Sequence, residues 1–348
     1  MMSHSKLLKY ICEDCDLLLP AARSTLTLLN EGATIPFIAR YRKEKTGGLD
    51  ETKLRQIHTK YTYYLSVFDR IETIIKSIDE QNKLTTDLKN KIENCRDKQS
   101  LEDLYLPYKK RRKTKADTAL ENGLGPLATI MIHQDSNESK NKILENFIKP
   151  GGKIQDPVQA IEGAKAIIAQ MVASTFEYRQ RIRSLMTKEG LLCTSVTSKF
   201  KSKNTKYDMY YDFSEPFRSA ASHRLLAIRR GEKENVLNCK IKIDQDRAIA
   251  YLESKLIHNS KFSLITELKD GIKHALIKSL MPSIQTECFQ AAYEKAESIS
   301  ISVFSKNLFN LLLAPPVGSK MIMGIDPGFR TGCKIAIVDR TSKFQTSE

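Results

Sequence analysis

The residues of this 348-residue chain best suited to binding a ligand are cations, and they are concentrated in two short stretches. The first, NEGATIPFIARYRKEKTGGLDE at 30–51, places three cations around Tyr41, namely Arg40, Arg42 and Lys43. Arginine binds phosphate and tyrosine stacks on bases, so the combination favours a contact with nucleic acid. The alternative is that the arginines form internal salt bridges with acids such as Glu31 and Glu44.

The second stretch, LEDLYLPYKKRRKTKADTALENGLGPLA at 101–128, is more densely charged. Six cations occupy seven positions, namely Lys109, Lys110, Arg111, Arg112, Lys113 and Lys115. Such a run repels itself and is best placed in water or against phosphates. If all six cations met phosphates, log affinity would fall with log salt at a slope of roughly −5. The alternative is a solvated loop without a ligand.

Residue types that carry covalent or metal chemistry are present, but their spacing is weak evidence. Ser214 and His223 lie in YYDFSEPFRSAASHRLLAIRRGEKENVL at 210–237 and suggest a hydrolase. A Gly-x-Ser-x-Gly elbow is missing, however, so a structural role for His223 is favoured. Cys12 and Cys15 lack a second pair of ligands at zinc-finger spacing. We expect neither a metal nor a cofactor.

The composition supports a polyanionic partner. The chain has 56 Lys plus Arg against 41 Asp plus Glu, a formal net charge of +15. This balance indicates nucleic acid or an anionic surface, although a lysine-rich soluble protein would show it too. No apolar run approaches the ~20 residues that span a bilayer. The N-terminus lacks the continuous apolar stretch of a signal peptide, and seven scattered cysteines suggest reduced thiols, so we expect a cytoplasmic protein without a membrane partner.

Apolar periodicity predicts a mainly α protein with a small β insertion at about 191–243. Ile71, Ile74, Ile75 and Ile78 lie on one helical face. Asp156-Pro157 predicts the start of a helix of about 30 residues that ends near Gly190. A strand is predicted at 235–243, helices from Asp244 and Pro282 to Pro315-Pro316, and then a hairpin without a third strand, from 321–326 and 333–339.

Four stretches closely resemble the Tex family of transcription accessory proteins. They are EGATIPFIARYRKEKTGGLDE, LEDLYLPYKKRRKTKA, SEPFRSAASHRLLAIRRGEKE and GIDPGFRTGCKIAIVD. The resemblance covers essentially the whole chain. It implies a helical N-terminal region over 1–316 and the incomplete start of an RNase H-like (YqgF) domain over 317–348.

The resemblance also implies divisions within the first region. They are a helix-turn-helix-like part at about 1–60, central helices at about 61–190, the β insertion, and C-terminal helices at about 244–314. The family continues with helix-hairpin-helix elements and an RNA-binding OB-fold. We therefore expect a truncated product, arising from gene decay, a split gene or a cut clone.

The resemblance implies a transcription accessory protein that binds RNA or DNA independently of sequence, with RNA polymerase as a further partner. Without the OB-fold, binding should be weak. One alternative is a fragment of an RNase H-like nuclease, in which Asp326 would be the first of several metal-binding acids. Because the other acids would come from later elements, we expect no enzyme activity. The other alternative is a protein-interaction scaffold for the transcription machinery.

Overall fold

The computed structural model describes residues 4–109, 112–148, 152–315, 318–328 and 332–348. The chain forms two compact units. One comprises Met1–Cys193, Ser214–Arg218 and Lys240–Cys288, and the other comprises Thr194–Phe213, Ser219–Cys239 and Phe289–Glu348. The prediction of a mainly α protein with small β elements is confirmed.

Helices make up most of the first half of the chain. They are α1 (His4–Cys15), α2 (Leu19–Asn30), α3 (Ile35–Tyr41), α4 (Glu51–Asp79), α5 (Thr86–Glu93), α6 (Lys98–Tyr105), α7 (Lys115–Glu121), α8 (Gly125–His133) and α9 (Lys140–Glu145). Later helices are α10 (Pro157–Ser174), α11 (Phe176–Glu189), α12 (Ser222–Lys233), α13 (Gln245–Leu256), α14 (Ile265–Ala275) and α15 (Met281–Leu312). A π-helical turn, Leu276–Leu280, joins α14 to α15.

The N-terminal helices share a core built on α4. Its buried residues recur every three or four positions, as an amphipathic helix requires, and include Ile71, Ile74 and Ile78 as predicted. They pack in one cluster with Leu8 and Ile11 of α1. The side chain of Asp50 accepts a hydrogen bond from the Lys53 amide and so fixes where α4 begins.

Helix α10 packs against α7, α8 and α14, and small residues permit the close approach. A Cβ atom on Gly163 would lie 2.2 Å from Leu124 Cδ1, so only glycine fits at this crossing. On another side, a Cβ on Gly271 of α14 would lie 3.4 Å from Lys165 Cγ. The stem of Lys165 is therefore held against the backbone of α14.

The prediction of one helix from Asp156 to Gly190 is correct at both ends but wrong in the middle. Thr175 has extended backbone angles (φ −74°, ψ 123°) and separates α10 from α11. Its hydroxyl donates to the Met171 carbonyl at 2.8 Å, and Arg179 Nη1 donates to the Ala173 carbonyl at 2.9 Å. These bonds satisfy carbonyls that the break leaves without helical partners.

The first sheet contains the strands β1 (Leu191–Val196), β2 (Asp212–Pro216) and β3 (Leu237–Lys242) in the order β2-β1-β3. The strand predicted at 235–243 is β3, whose side chains alternate between buried and exposed. Gly190, just before β1, is required by space, because a Cβ there would lie 2.3 Å from the Met186 carbonyl oxygen.

The C-terminal sheet contains β4 (Ile322–Gly328), β5 (Gly332–Val338) and β6 (Phe344–Ser347) in that order. The predicted hairpin is β4 and β5, but the prediction that it lacks a third strand is wrong, because β6 pairs antiparallel with β5. Asp339 turns the chain back by accepting hydrogen bonds from the amides of Thr341 (2.8 Å) and Lys343 (3.0 Å).

Candidate nucleic-acid interface

The first candidate surface is the α3 segment, residues 35–48. Thr34 caps α3 by accepting from the Phe37 amide, and the fully buried Ile38 anchors the helix beside Leu28 and Leu54. This anchoring turns Phe37 and Tyr41 outward, with 40% and 67% of their surfaces exposed. Their ring centroids are 5.4 Å apart.

The predicted cations of the α3 segment lie beside these rings. Arg40, Arg42 and Lys43 are all exposed, and the Arg42 guanidinium lies 5.4 Å from the Phe37 ring centroid. In the described part of the chain none of the three pairs with a carboxylate. Internal salt bridges to Glu31 and Glu44 are therefore not formed there, and the charges face solvent.

The turn after α3 fixes the backbone at Arg42 and Lys43. The Thr46 hydroxyl bonds to the carbonyls of Arg42 (3.4 Å) and Lys43 (3.1 Å), and the Gly48 amide donates to the Lys43 carbonyl at 2.9 Å. Gly47 and Gly48 have φ values of 72° and 85°, which other residues rarely adopt. The Gly-Gly pair thus allows the chain to reverse and begin α4.

The second candidate surface is the basic run, Lys109–Lys115. Lys110 and Arg111 lie outside the described residues. Lys109, Arg112, Lys113 and Lys115 are exposed, but Lys113 pairs with Glu121 at 2.5 Å. Lys115 begins α7, which Thr114 and Asp117 cap reciprocally. The run is therefore not uniformly free to meet phosphates, because one of its lysines already has an acid partner.

Lys115 also lines a cleft to which sequence reasoning did not point. The cleft has a volume of about 550 Å³ and brings Lys115 together with Lys165, Lys273 and Lys278 and with His274, which lie on α10, α14 and the π-helical turn. We call these five residues the lysine cleft. Its members are separated by up to 163 positions along the chain, so no local run signals it.

A buried ion network lies in the same compact unit as the lysine cleft. Asp103 accepts from Arg179 Nε at 2.7 Å and from Arg183 Nη1 at 2.7 Å, while Glu287 accepts from both arginines. Burial is the largest influence on the pKa of Arg183 and would lower it, but hydrogen bonds to Asp103 and Glu287 raise that pKa above its ordinary value. The network joins α6, α11 and α15.

The residues considered for covalent or metal chemistry are not assembled into a centre. Asp326 is exposed in β4 and stands opposite Lys334 of β5. The Ser214 hydroxyl lies 3.5 Å from the Cys193 thiol, and His223 is exposed. Among the residues that the structure describes, no group of three or more His, Cys, Asp and Glu side chains is placed to hold a metal ion.

Comparisons with known proteins identify the family. Sequence models of three Tex domains match the chain: the Tex-like N-terminal domain at 5–79, the Tex central region at 135–304 and the Tex YqgF-like domain at 320–348. The chain belongs to the Tex family.

Relatives of this Tex chain match nearly its whole length. YdcI of Bacillus subtilis (strain 168) is 39% identical over 345 residues, which cover 98% of this chain and 48% of YdcI. The transcriptional accessory protein Tex of Neisseria gonorrhoeae is 36% identical over 92% of this chain and 43% of its own. The human S1 RNA-binding domain-containing protein 1 is 31% identical over 92% of this chain and 33% of its own. The chain thus spans less than half the length of these relatives.

The candidate surfaces occupy different parts of the Tex chain. The α3 segment lies inside the matched N-terminal domain, and Lys165, Lys273 and Lys278 lie inside the matched central region. The basic run falls between these two matches. Within the described residues, no helix combines the length and apolar character needed to cross a bilayer.

Proposed function

We propose that this Tex chain is an accessory module of transcription that binds RNA or DNA independently of sequence. The observation that carries the proposal is the α3 segment, where three exposed cations that have no carboxylate partner among the described residues lie close to two exposed aromatic rings. Cations beside aromatic rings bind the backbone and bases of single strands without reading sequence. The relatives named as a transcriptional accessory protein and as an S1 RNA-binding domain-containing protein support the same class.

Fluorescence anisotropy with labelled single-stranded RNA and DNA of mixed sequence tests the proposal. Each phosphate contact on a single strand contributes roughly 0.7 to the slope of log affinity against log salt. Replacement of Arg40, Arg42 and Lys43 by glutamine should therefore flatten the slope by about 2 units. With so few contacts, the segment alone should bind weakly at physiological salt.

A matched control removes the same charge elsewhere. Lys9, Lys91 and Lys142 each form an exposed ion pair with an acid four positions away, namely Glu13, Asp87 and Glu138. Changing these three lysines to glutamine should leave the salt slope unaltered. Equal effects of the two triple variants would show that only net charge matters, and the α3 segment would not be the binding surface.

The basic run is a second contact within the same proposal. Changing Lys109, Lys110, Arg111, Arg112, Lys113 and Lys115 to glutamine should weaken binding and flatten the salt slope by several units. The pair of Lys113 with Glu121 makes the expected change smaller than six full contacts would give. A run that serves only as a solvated loop would leave the slope as it was.

We propose binding rather than catalysis as the chain's own activity. Metal-dependent nucleases of the RNase H-like type need several carboxylates around two ions, whereas Asp326 faces the lysine of β5. Incubation of labelled RNA, DNA and RNA–DNA hybrids with Mg²⁺ or Mn²⁺ should give no cleavage. Cleavage that Asp326→Asn abolishes would establish the nuclease instead.

The second candidate is a scaffold that binds RNA polymerase. The later part of α15 favours it, because large apolar side chains lie exposed there, including Phe304, Phe309 and Leu312. Purified RNA polymerase should bind the immobilised chain, and Phe304→Ser with Phe309→Ser should abolish that binding. We place both activities in the cytoplasm, where the seven free thiols are stable.

A further inference from the structure

The lysine cleft adjoins a second cleft of different character. The second has a volume of about 620 Å³ and is mainly apolar, with Leu106, Pro107, Ile167 and Met171 in its wall. Lys115, Ala166 and His274 line both clefts. A basic compartment and an apolar compartment are thus continuous along α10.

Three ammonium groups of the lysine cleft have no acid partner within the described residues. Lys165 Nζ lies 3.2 Å from Glu162 and 3.8 Å from Asp270, which are the acids in the wall of this cleft. Lys115, Lys273 and Lys278 pair with no acid in the described part of the chain. Lys165, which is only 18% exposed, is the lysine that pairs with these acids, and the other three ammonium groups are open to an external anion.

Local backbone geometry determines where the lysines of the cleft lie. The stem of Lys165 lies over Gly271, and α14 passes directly into the π-helical turn that carries Lys278. A π turn widens the helix and changes the direction of the side chains that follow, and such turns recur at functional sites. Lys273 and Lys278, five residues apart, are thereby presented to the same cleft.

The apolar cleft offers polar groups for a planar ligand. Gln170 lines it, and its Oε1 lies 2.8 Å from the Thr114 hydroxyl, which also lies 2.7 Å from the Asp117 carboxylate. Gln170 Nε2 donates to no group among the described residues, and Ser279 stands in the same wall. A side-chain amide beside an apolar wall suits the edge and the face of a nucleobase.

We propose that the two clefts together bind one nucleotide unit. Its phosphate is bound by Lys115, Lys273 and Lys278, and its base packs on Ile167 and Met171 with an edge toward Gln170. Each volume falls within the ~300–1,000 Å³ of small-molecule sites. The unit is either a free nucleotide or part of a single strand, and in the second case the inference rests on the proposed function.

The test removes two cleft charges and compares two probes. Lys273→Gln with Lys278→Gln is measured against a nucleoside 5′-monophosphate by equilibrium dialysis and against a short single-stranded RNA by anisotropy. The double variant, called the cleft pair, should bind each probe about tenfold more weakly than the parent chain does. Charge-assisted hydrogen bonds to phosphate are stronger than neutral ones. For RNA the salt slope should also fall by roughly 1.4 units.

A control pair separates the cleft from overall charge. Lys255→Gln with Lys269→Gln removes the same charge from exposed positions of α13 and α14 that do not line either cleft. This pair should change both affinities by less than about twofold.

The outcomes distinguish the two proposals. RNA binding that depends on the α3 segment but not on Lys273 and Lys278, with no cleft-dependent binding of the monophosphate, overturns the cleft and leaves the proposed function standing. Monophosphate binding that the cleft pair abolishes, with no RNA binding by the chain, supports a free-nucleotide site and refutes the proposed function. If the Lys273→Gln, Lys278→Gln variant loses binding to both the monophosphate and the RNA while the control pair keeps both, the cleft binds a unit of a strand.

Discussion

At the residue scale, Glu102 and Asp103 show how surroundings decide the value of an ion pair. Both acids pair with arginine, Glu102 with Arg70 at 2.6 Å and Asp103 with Arg179 at 2.7 Å. The first pair is more than one-third exposed, whereas the side chains of the second are 2% exposed or less. Breaking a buried pair leaves an uncompensated charge in a medium that solvates it poorly.

Asp103→Asn should therefore lower the free energy of unfolding by about 3 kcal/mol or more. The neighbouring substitution Glu102→Gln is the matched control and should cost less than about 1 kcal/mol, because water screens its partner. Urea denaturation followed by circular dichroism measures both. Similar losses in the two variants would mean that the buried ion network is not a main source of stability.

Asp14 supplies a pH-dependent contribution. Its carboxylate accepts from Lys60 at 2.5 Å and from the Tyr64 hydroxyl at 2.8 Å, and these contacts, that of Lys60 first, lower the pKa of Asp14. A lowered pKa stabilises the fold above the unfolded value of about 3.9, and this stability is lost as pH falls through the folded value.

Asp14→Asn should consequently reduce the loss of stability on acidification. Thermal melts between about pH 6 and pH 2 should show a shallower fall of Tm for Asp14→Asn than for the parent chain. Asp69→Asn, at an exposed acid of α4, is the control and should follow the parent curve. A parallel curve for Asp14→Asn would exclude a contribution from this carboxylate.

At the element scale, α10 is confined by close crossings on two sides. A Cβ at Gly163 would overlap the buried Leu124 at 2.2 Å, whereas a Cβ at Gly271 would only touch the flexible stem of Lys165 at 3.4 Å. Glycine inside a helix costs about 1 kcal/mol relative to alanine. The two glycines should thus respond to alanine in opposite directions.

Gly163→Ala should destabilise the chain by about 1–3 kcal/mol through overpacking. Gly271→Ala should be neutral or stabilise it by up to about 1 kcal/mol, since the gain in helix propensity is not offset by a clash. Differential scanning calorimetry of both variants measures the contrast. Destabilisation by both would mean that α14 lies tighter on α10 than the structure shows.

Local signals in the sequence predict where elements begin, and distant contacts decide where they break. Asp156-Pro157 and Asp244 lie beside the first residues of α10 and α13, as their capping chemistry predicts. No local residue signals the break at Thr175, whereas Arg179, which binds a carbonyl freed by the break, is also held by Asp103, 76 residues earlier. Strand β6 was missed because its residues, FQTS, carry little apolar signal.

The candidate site also has one part that the sequence predicts and one part that it does not. The α3 segment is visible in the sequence because its arginines and Tyr41 are adjacent, although only the structure shows that they have no acid partners among the described residues. The lysine cleft could not be predicted, since its members lie on α7, α10, α14 and the π-helical turn. Packing of helices distant in sequence, rather than a motif, brings them together.

At the scale of the whole molecule, exposed apolar surface is the feature that most favours self-association. Several large side chains late in α15 are more than half exposed, among them Phe304 at 68%, Phe309 at 62% and Leu312 at 74%. Contiguous apolar surface of this kind promotes association in water. Single exposed residues elsewhere, such as Leu18, do not have this effect.

The chain should therefore self-associate as its concentration rises. Sedimentation velocity should show a concentration-dependent increase in mean sedimentation coefficient, and Phe304→Ser, Phe309→Ser and Leu312→Ser together should abolish it. Leu18→Ser, at a residue 79% exposed, is the control and should leave association unchanged. A monomer at all concentrations in the parent chain would contradict the expectation.

The buried ion network sets an order for the folding of the chain during its synthesis at the ribosome. The N-terminal core lies within residues 7–101 and can close early, but Glu287 is translated 184 residues after Asp103. At ordinary rates of ribosomal elongation this interval lasts roughly 10–40 s. Asp103 can pair with Arg179 and Arg183, 76 and 80 residues later, once α11 has emerged, whereas these arginines gain Glu287 only with the start of α15. The N-terminal core of the nascent Tex chain can thus form well before the ion network is complete.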